Sequence, residues 1–156
     1  MAYNQYAQEM TEDPLVKNYG QTSITSSTPT TIAVMGTYYK ILGTTVDTAT
    51  YNFHSSGDNR LICDDLVSKM YLVSINISAS IALLTAVCGF TIAKNGTAIT
   101  SSSILNTVGT ATSLGNVSLQ ILVDLIKDDY IEVYISNTTG TDSITVTNMN
   151  LVITQI

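Results

Sequence analysis

The sequence predicts an all-β fold, an antiparallel β-sandwich with jelly-roll or Greek-key wiring and an extended N-terminal arm. The first sign is strict alternation. In Asn116–Ile126 the residues Val117, Leu119, Ile121, Val123 and Leu125 fall on one side, and in Tyr130–Ser136 so do Ile131, Val133 and Ile135. A period of two puts one face of each segment in a core and the other outside, as in a strand of an antiparallel sheet. The second sign is turn chemistry. Asn95-Gly96 separates Gly89–Lys94 from Thr97–Thr100, and Asn-Gly between strands suits a type I′ hairpin, which needs positive φ at both central residues. The third is that seven to ten strand-like segments are accompanied by no convincing helical period.

The elements follow in order. Residues 1–30 carry few aliphatic anchors (Leu15, Val16 and Ile24) with Tyr3, Tyr6 and Tyr19 irregularly spaced, and Thr25–Thr31 reads as an extended linker. Such a segment builds no core of its own. Its tyrosines offer large contact area with a polar tip, so it is expected to be a docking arm that orders on a partner. The self-sufficient sandwich is expected over 31–156, so that a chain begun at Thr28 still folds. Its first strands are Thr31–Met35 and Thr37–Leu42, with a turn at Gly43, then Thr44–Tyr51, a His54–Asn59 loop and Arg60–Cys63. In Met70–Ser78 the residues Tyr71, Val73, Ile75 and Ile77 share the core face. The last three strands are expected to form a meander running to the final residue. In the third, alternation on Ile144 and Val146 shifts phase to Met149, Leu151 and Ile153, which places a bulge near Thr147-Asn148.

Composition narrows function. The 156 residues suit one domain with a real core, and only 12% are charged, against about 25% in ordinary globular chains. Ser, Thr and Asn take their place, and charge is depleted where subunits cover a surface. A net charge of −6 with Lys17, Lys40, Arg60, Lys69, Lys94 and Lys127 scattered singly argues against nucleic acid. No window reaches the roughly 20 apolar residues of a membrane helix. The N-terminus has neither the basic nor the apolar region of a signal peptide. A cytosolic setting is therefore expected, with Cys63 and Cys88 as buried free thiols.

The order of features resembles a known family. Pro29–Thr37 (Pro-Thr-Thr-Ile-Ala-Val-Met-Gly-Thr) leads to a Tyr-Lys-Ile strand and a Phe-His-Ser-Ser-Gly-Asp-Asn-Arg-Leu loop. Tyr71–Ser78 (Tyr-Leu-Val-Ser-Ile-Asn-Ile-Ser), Phe-Thr-Ile-Ala-Lys-Asn-Gly-Thr, Val-Ser-Leu-Gln and Asp-Asp-Tyr-Ile-Glu-Val-Tyr-Ile follow. Across roughly 29–156 this is similar to the tumour necrosis factor/complement-type jelly roll of tailed-phage virion proteins: cement or decoration proteins, head fibres and tail-fibre tips. The resemblance implies a homotrimer. With a short arm and no repetitive stalk, it implies a non-enzymatic capsid cement protein that binds the major capsid protein and stabilises the head. The setting implied is the capsid surface, with the host cytoplasm before assembly. The alternative is a receptor-binding module that recognises a host-surface glycan or protein.

Candidate chemistry is sparse. His54, the only histidine, lies close in sequence to Ser55, Ser56 and Asp58, but triad members normally come from separate elements. Asp64-Asp65 and Asp128-Asp129 are too few for a calcium site of six to eight oxygens and read as turn residues. Two cysteines and one histidine fall short of a zinc set. No catalytic residue, cofactor or metal is expected. The outer face of Tyr130–Ser136 presents Tyr130, Glu132 and Tyr134 in a row, and by its place in the resembling jelly rolls this row is expected at the oligomer interface. The expected capsid-docking residues are Tyr3, Tyr6, Leu15, Val16 and Tyr19.

Overall fold

The computed structural model describes residues 16–56 and 58–156. They form two packed antiparallel sheets. The strands are β1 (Tyr19–Thr28), β2 (Tyr39–Lys40), β3 (Leu42–Tyr51), β4 (Phe53–Ser55), β5 (Arg60–Cys63), β6 (Lys69–Ile81), β7 (Ala86–Lys94), β8 (Thr97–Ala98), β9 (Ile104–Val108), β10 (Gly115–Leu125), β11 (Tyr130–Asn137) and β12 (Ile144–Gln155). One sheet has five strands in the order β10-β6-β12-β1-β3. The other has seven, β4-β5-β11-β7-β8, with β2 also on β11 and β9 also on β7. The alternating residues build the core between them: Tyr71, Val73, Ile75 and Ile77 from β6, Leu119 and Leu125 from β10, and Ile131, Val133 and Ile135 from β11 are all buried. Phe53 meets Tyr71 edge to face with centroids 5.3 Å apart.

Several local expectations hold. Asn95 and Gly96 have φ of 51° and 75°, as a type I′ turn requires. The β12–β6 register shifts between Val146 and Asn148, where the phase change in the sequence put a bulge. Cys63 and Cys88 are free and buried.

Others do not. Sheet pairing begins at Tyr19, twelve residues before the expected start. β1 lies between β12 and β3, pairing Tyr19 with both Thr154 and Tyr51. Its polar sequence hid it, because a Thr/Ser-rich strand has little apolar alternation to read. The boundary near residue 30 is therefore wrong, and residues 19–30 belong to the sandwich. Gly20 makes this intimate: a Cβ there would stand 2.8 Å from Leu61 Cδ2 and from Phe53 Cβ. Thr31–Met35 is not a strand but part of a strap that buries Ile32 and leaves Val34 and Met35 exposed. Gly43 lies inside β3 rather than at a turn, and His54 is in β4 rather than a loop. The last three strands form no meander, since β10 and β12 flank β6 in one sheet while β11 belongs to the other. Periodicity fixes which face is buried but not which neighbour a strand takes.

Candidate functional surface

The expected row on β11 is largely spent inside the chain. Glu132 is 1% exposed, and its Oε1 lies 2.9 Å from Lys40 Nζ and 3.0 Å from an Arg60 guanidinium nitrogen. The buried carboxylate is thereby paired with two cations, as burial demands. Arg60 also stacks over the Tyr130 ring at 4.0 Å, a cation–π contact. Burial works against its charge, but the Glu132 bond and charge outweigh it, and the guanidinium pKa is raised. Tyr134 donates its hydroxyl to Gly96 O at 3.2 Å, and burial together with the Glu132 charge pushes its pKa up. Tyr130 and Tyr134 are half-buried. Glu132 is thus a buried ion-pair centre, although its outward place in the row predicts an exposed side chain. β2 and β5, which supply Lys40 and Arg60, are not signalled by any motif near residue 132.

Of the arm residues, Val16 and Tyr19 are exposed, and Tyr19 stacks on Tyr51 with centroids 6.3 Å apart. Tyr3, Tyr6 and Leu15 lie outside the described residues. Where the chain enters the sheet, a polar network missed in the sequence fastens it. Asn18 Nδ2 donates to Asp65 Oδ2 and, at 3.0 Å, to the Tyr71 hydroxyl; Asn52 Nδ2 donates to Asn18 Oδ1 at 2.8 Å. Tyr71 donates to Asp65 Oδ2 at 3.2 Å, and Lys69 Nζ lies 2.7 Å from that oxygen. Burial alone would raise the Asp65 pKa, but Lys69, the Val67 amide and Tyr71 overcome it and hold the carboxyl below its usual value. Asp129 is the turn residue expected. Its carboxylate accepts from Asn95 Nδ2 at 2.6 Å and from the Ile126 amide at 3.1 Å. His54 pairs with Asp64 at 2.9 Å, while the Ser56 hydroxyl donates to Asp58. The charged groups near His54 are thus engaged in local pairs rather than a nucleophile–base–acid chain. No cluster of three or more His, Cys, Asp or Glu fit for a metal occurs among the described residues.

The outer face of the five-stranded sheet is open to solvent. Its register sets residues in cross-strand rows. Leu122, Leu72, Thr154, Tyr19 and Tyr51 form one row, and Gln120, Ser74, Val152, Gln21 and Ala49 the next. Ser118, Asn76, Asn150, Ser23 and Val46 come third, then Asn116, Ser78 and Asn148. None of these residues is charged. Charge returns only one step further along, at Asp124 opposite Met70. The face grades from an aliphatic and aromatic half to an amide and hydroxyl half.

A trough of about 540 Å³ opens in the amide half, lined among others by Ser23, Ile24, Asn76, Asn116, Asn148 and Asn150. It forms where β1 leaves β12: their pairing ends at Ser23–Asn150 and resumes only at the Thr30–Ile144 bridge. The bulge beside Asn148 lies at the same place.

No protein-family model matches this chain, and no curated protein matches it. Solved structures do. Murine APRIL at pH 5.0 aligns with a TM-score of 0.62 and 9% identity over 90% of this chain and 100% of that one. Eiger TNF from S. frugiperda aligns at 0.58 with 8% identity, over 90% and 92%. PRD1 vertex protein P5 aligns at 0.56 with 9% identity, over 90% and 98%. The fold is a tumour necrosis factor-like jelly roll, shared with these three structures.

Proposed function

We propose that this chain is a non-enzymatic virion structural protein, a homotrimeric cement or decoration protein that binds the major capsid protein and stabilises a phage head. It would reside on the capsid surface after assembly in the host cytoplasm. The observation that carries the assembly part is the charge-free outer face of the five-stranded sheet. In a chain of net charge −6, a face without charged residues brings copies together with no like charges in direct contact and no charged group to desolvate. The half bearing Leu72, Leu122, Val152, Tyr19 and Tyr51 also supplies the apolar area that an interface core uses. The contact is therefore assigned to the apolar half of this face rather than to the β11 row, whose Glu132 is already paired internally. Likeness in fold to a viral vertex protein supports the virion setting. A ligand that binds only the assembled shell stabilises it by mass action.

Native mass spectrometry at micromolar concentration is expected to give a trimer, and Leu122→Asp a monomer with unchanged circular dichroism. Sedimentation with heads of the encoding virus that lack the protein is expected to show binding and a higher head melting temperature. A wild-type monomer would overturn the assembly reading. A trimer that leaves such heads unbound would overturn the cement reading.

A further inference from the structure

The trough in the amide half of the sheet is built as a hydrogen-bonding site. Ser118 Oγ donates to Asn76 Oδ1 at 2.7 Å, Ser78 Oγ to Asn116 Oδ1 at 2.7 Å, and Gln21 Nε2 to Asn150 Oδ1 at 3.0 Å. In each pair the carboxamide oxygen is held by a neighbour, which fixes the amide plane. The three –NH2 groups have no partner among the described residues, so they are oriented and available donors. The serine hydroxyls keep lone pairs that can accept. Ile24 and Met149 also line the cavity, whose volume falls in the range of small-molecule sites, about 300–1,000 Å³.

We infer that this trough binds a neutral saccharide. The lining carries no charge, so it offers nothing to balance an ionised ligand, and the chain's net charge of −6 opposes anions. A sugar presents hydroxyl groups that accept from fixed amides and donate to serine oxygens, while its C–H faces suit the aliphatic lining. A purely apolar ligand would leave the amide donors desolvated and unpaired, at a cost that excludes it. The site lies in the amide half of the face, next to the apolar half assigned to the trimer contact, and the inference stands independently of shell binding.

The test is saturation-transfer NMR on the full chain with neutral gluco-, galacto-, manno- and N-acetylhexosamine trisaccharides, and with a sialylated trisaccharide as the charged probe. At least one neutral sugar is expected to show transfer, with affinity lost about tenfold or more in Asn76→Ala/Asn150→Ala. That loss corresponds to 1.4 kcal/mol or more. Both side chains lie on the solvent face, so the variant is expected to keep the wild-type melting temperature and oligomeric state. Leu84→Ala, at an exposed turn position away from the trough, is expected to bind as the wild type does. The inference is overturned if no neutral sugar shows transfer, if binding survives Asn76→Ala/Asn150→Ala, or if only the sialylated probe binds. It is equally overturned if that variant loses its trimer and the wild type binds no sugar, because the amides then serve contact between copies.

Discussion

Glu132 shows how one residue's chemistry depends on neighbours distant in sequence. Its carboxylate is buried, yet Lys40 and Arg60 both reach it. Replacing it with Gln keeps the shape and removes the charge that holds two cations. Because Lys40 and Arg60 remain partly exposed, solvent offsets part of the loss, and a destabilisation of about 1–3 kcal/mol is expected. Urea unfolding of Glu132→Gln checks this; an unchanged midpoint would mean that the pair contributes nothing net. Asp65 gives a pH dependence. Its folded pKa lies below its unfolded value, held down against burial by Lys69 and its hydrogen bonds, and Asp129 is lowered likewise. A depressed carboxyl contributes stability that is fully present above the unfolded pKa and is lost as pH falls through the folded one. Stability is therefore expected to hold from neutral pH down to roughly pH 5 and to fall below about pH 4. Asp65→Asn should flatten that fall. Parallel acid titrations of the two proteins by circular dichroism decide it.

At the scale of the element, β1 carries the main consequence. It contributes no long apolar run, but it completes the five-stranded sheet between β12 and β3 and lays Gly20 against Phe53 and Leu61. A chain begun at Thr28 would leave the edges of two strands unpaired and uncover part of the core. It is expected not to fold, giving a random-coil circular dichroism spectrum and poorly dispersed amide resonances. A dispersed spectrum from that truncated chain would show β1 to be dispensable. Gly20→Val tests the same packing more gently. Overpacking against backbone-anchored neighbours costs typically about 1–3 kcal/mol, read as a lower urea midpoint.

For the whole molecule, connectivity sets the kinetics. Tyr19 pairs with Thr154, joining the two ends of the described chain, and β6 is flanked by β10 and β12. Pairings this distant in sequence close large loops before they gain contacts, so folding is expected in the range of about milliseconds to seconds. Stopped-flow refolding from urea measures it, and complete folding in microseconds would contradict the topology. The charge-free face is also a property of this scale. It takes residues from five strands, and no single segment displays it.

The sequence by itself determined the fold class and the core. Alternation in β6, β10 and β11 named Tyr71, Val73, Ile75, Leu119, Ile131 and Val133 as inward residues, because successive side chains on a pleated strand point to opposite faces of the sheet. Asn95-Gly96 marked its turn, and the phase slip in β12 its bulge, since both are local backbone requirements. Tertiary structure decided the rest. Parity cannot say which strands pair, so it predicts a meander that β11 does not join, and the polar sequence of β1 predicts an arm where the structure has a strand. Nor can local sequence bring Lys40 and Arg60 to Glu132, or set Asn76, Asn116 and Asn150 side by side. Those placements come from register between strands far apart in the chain, where the energy of pairing is shared across the sheet and leaves no mark on any one segment.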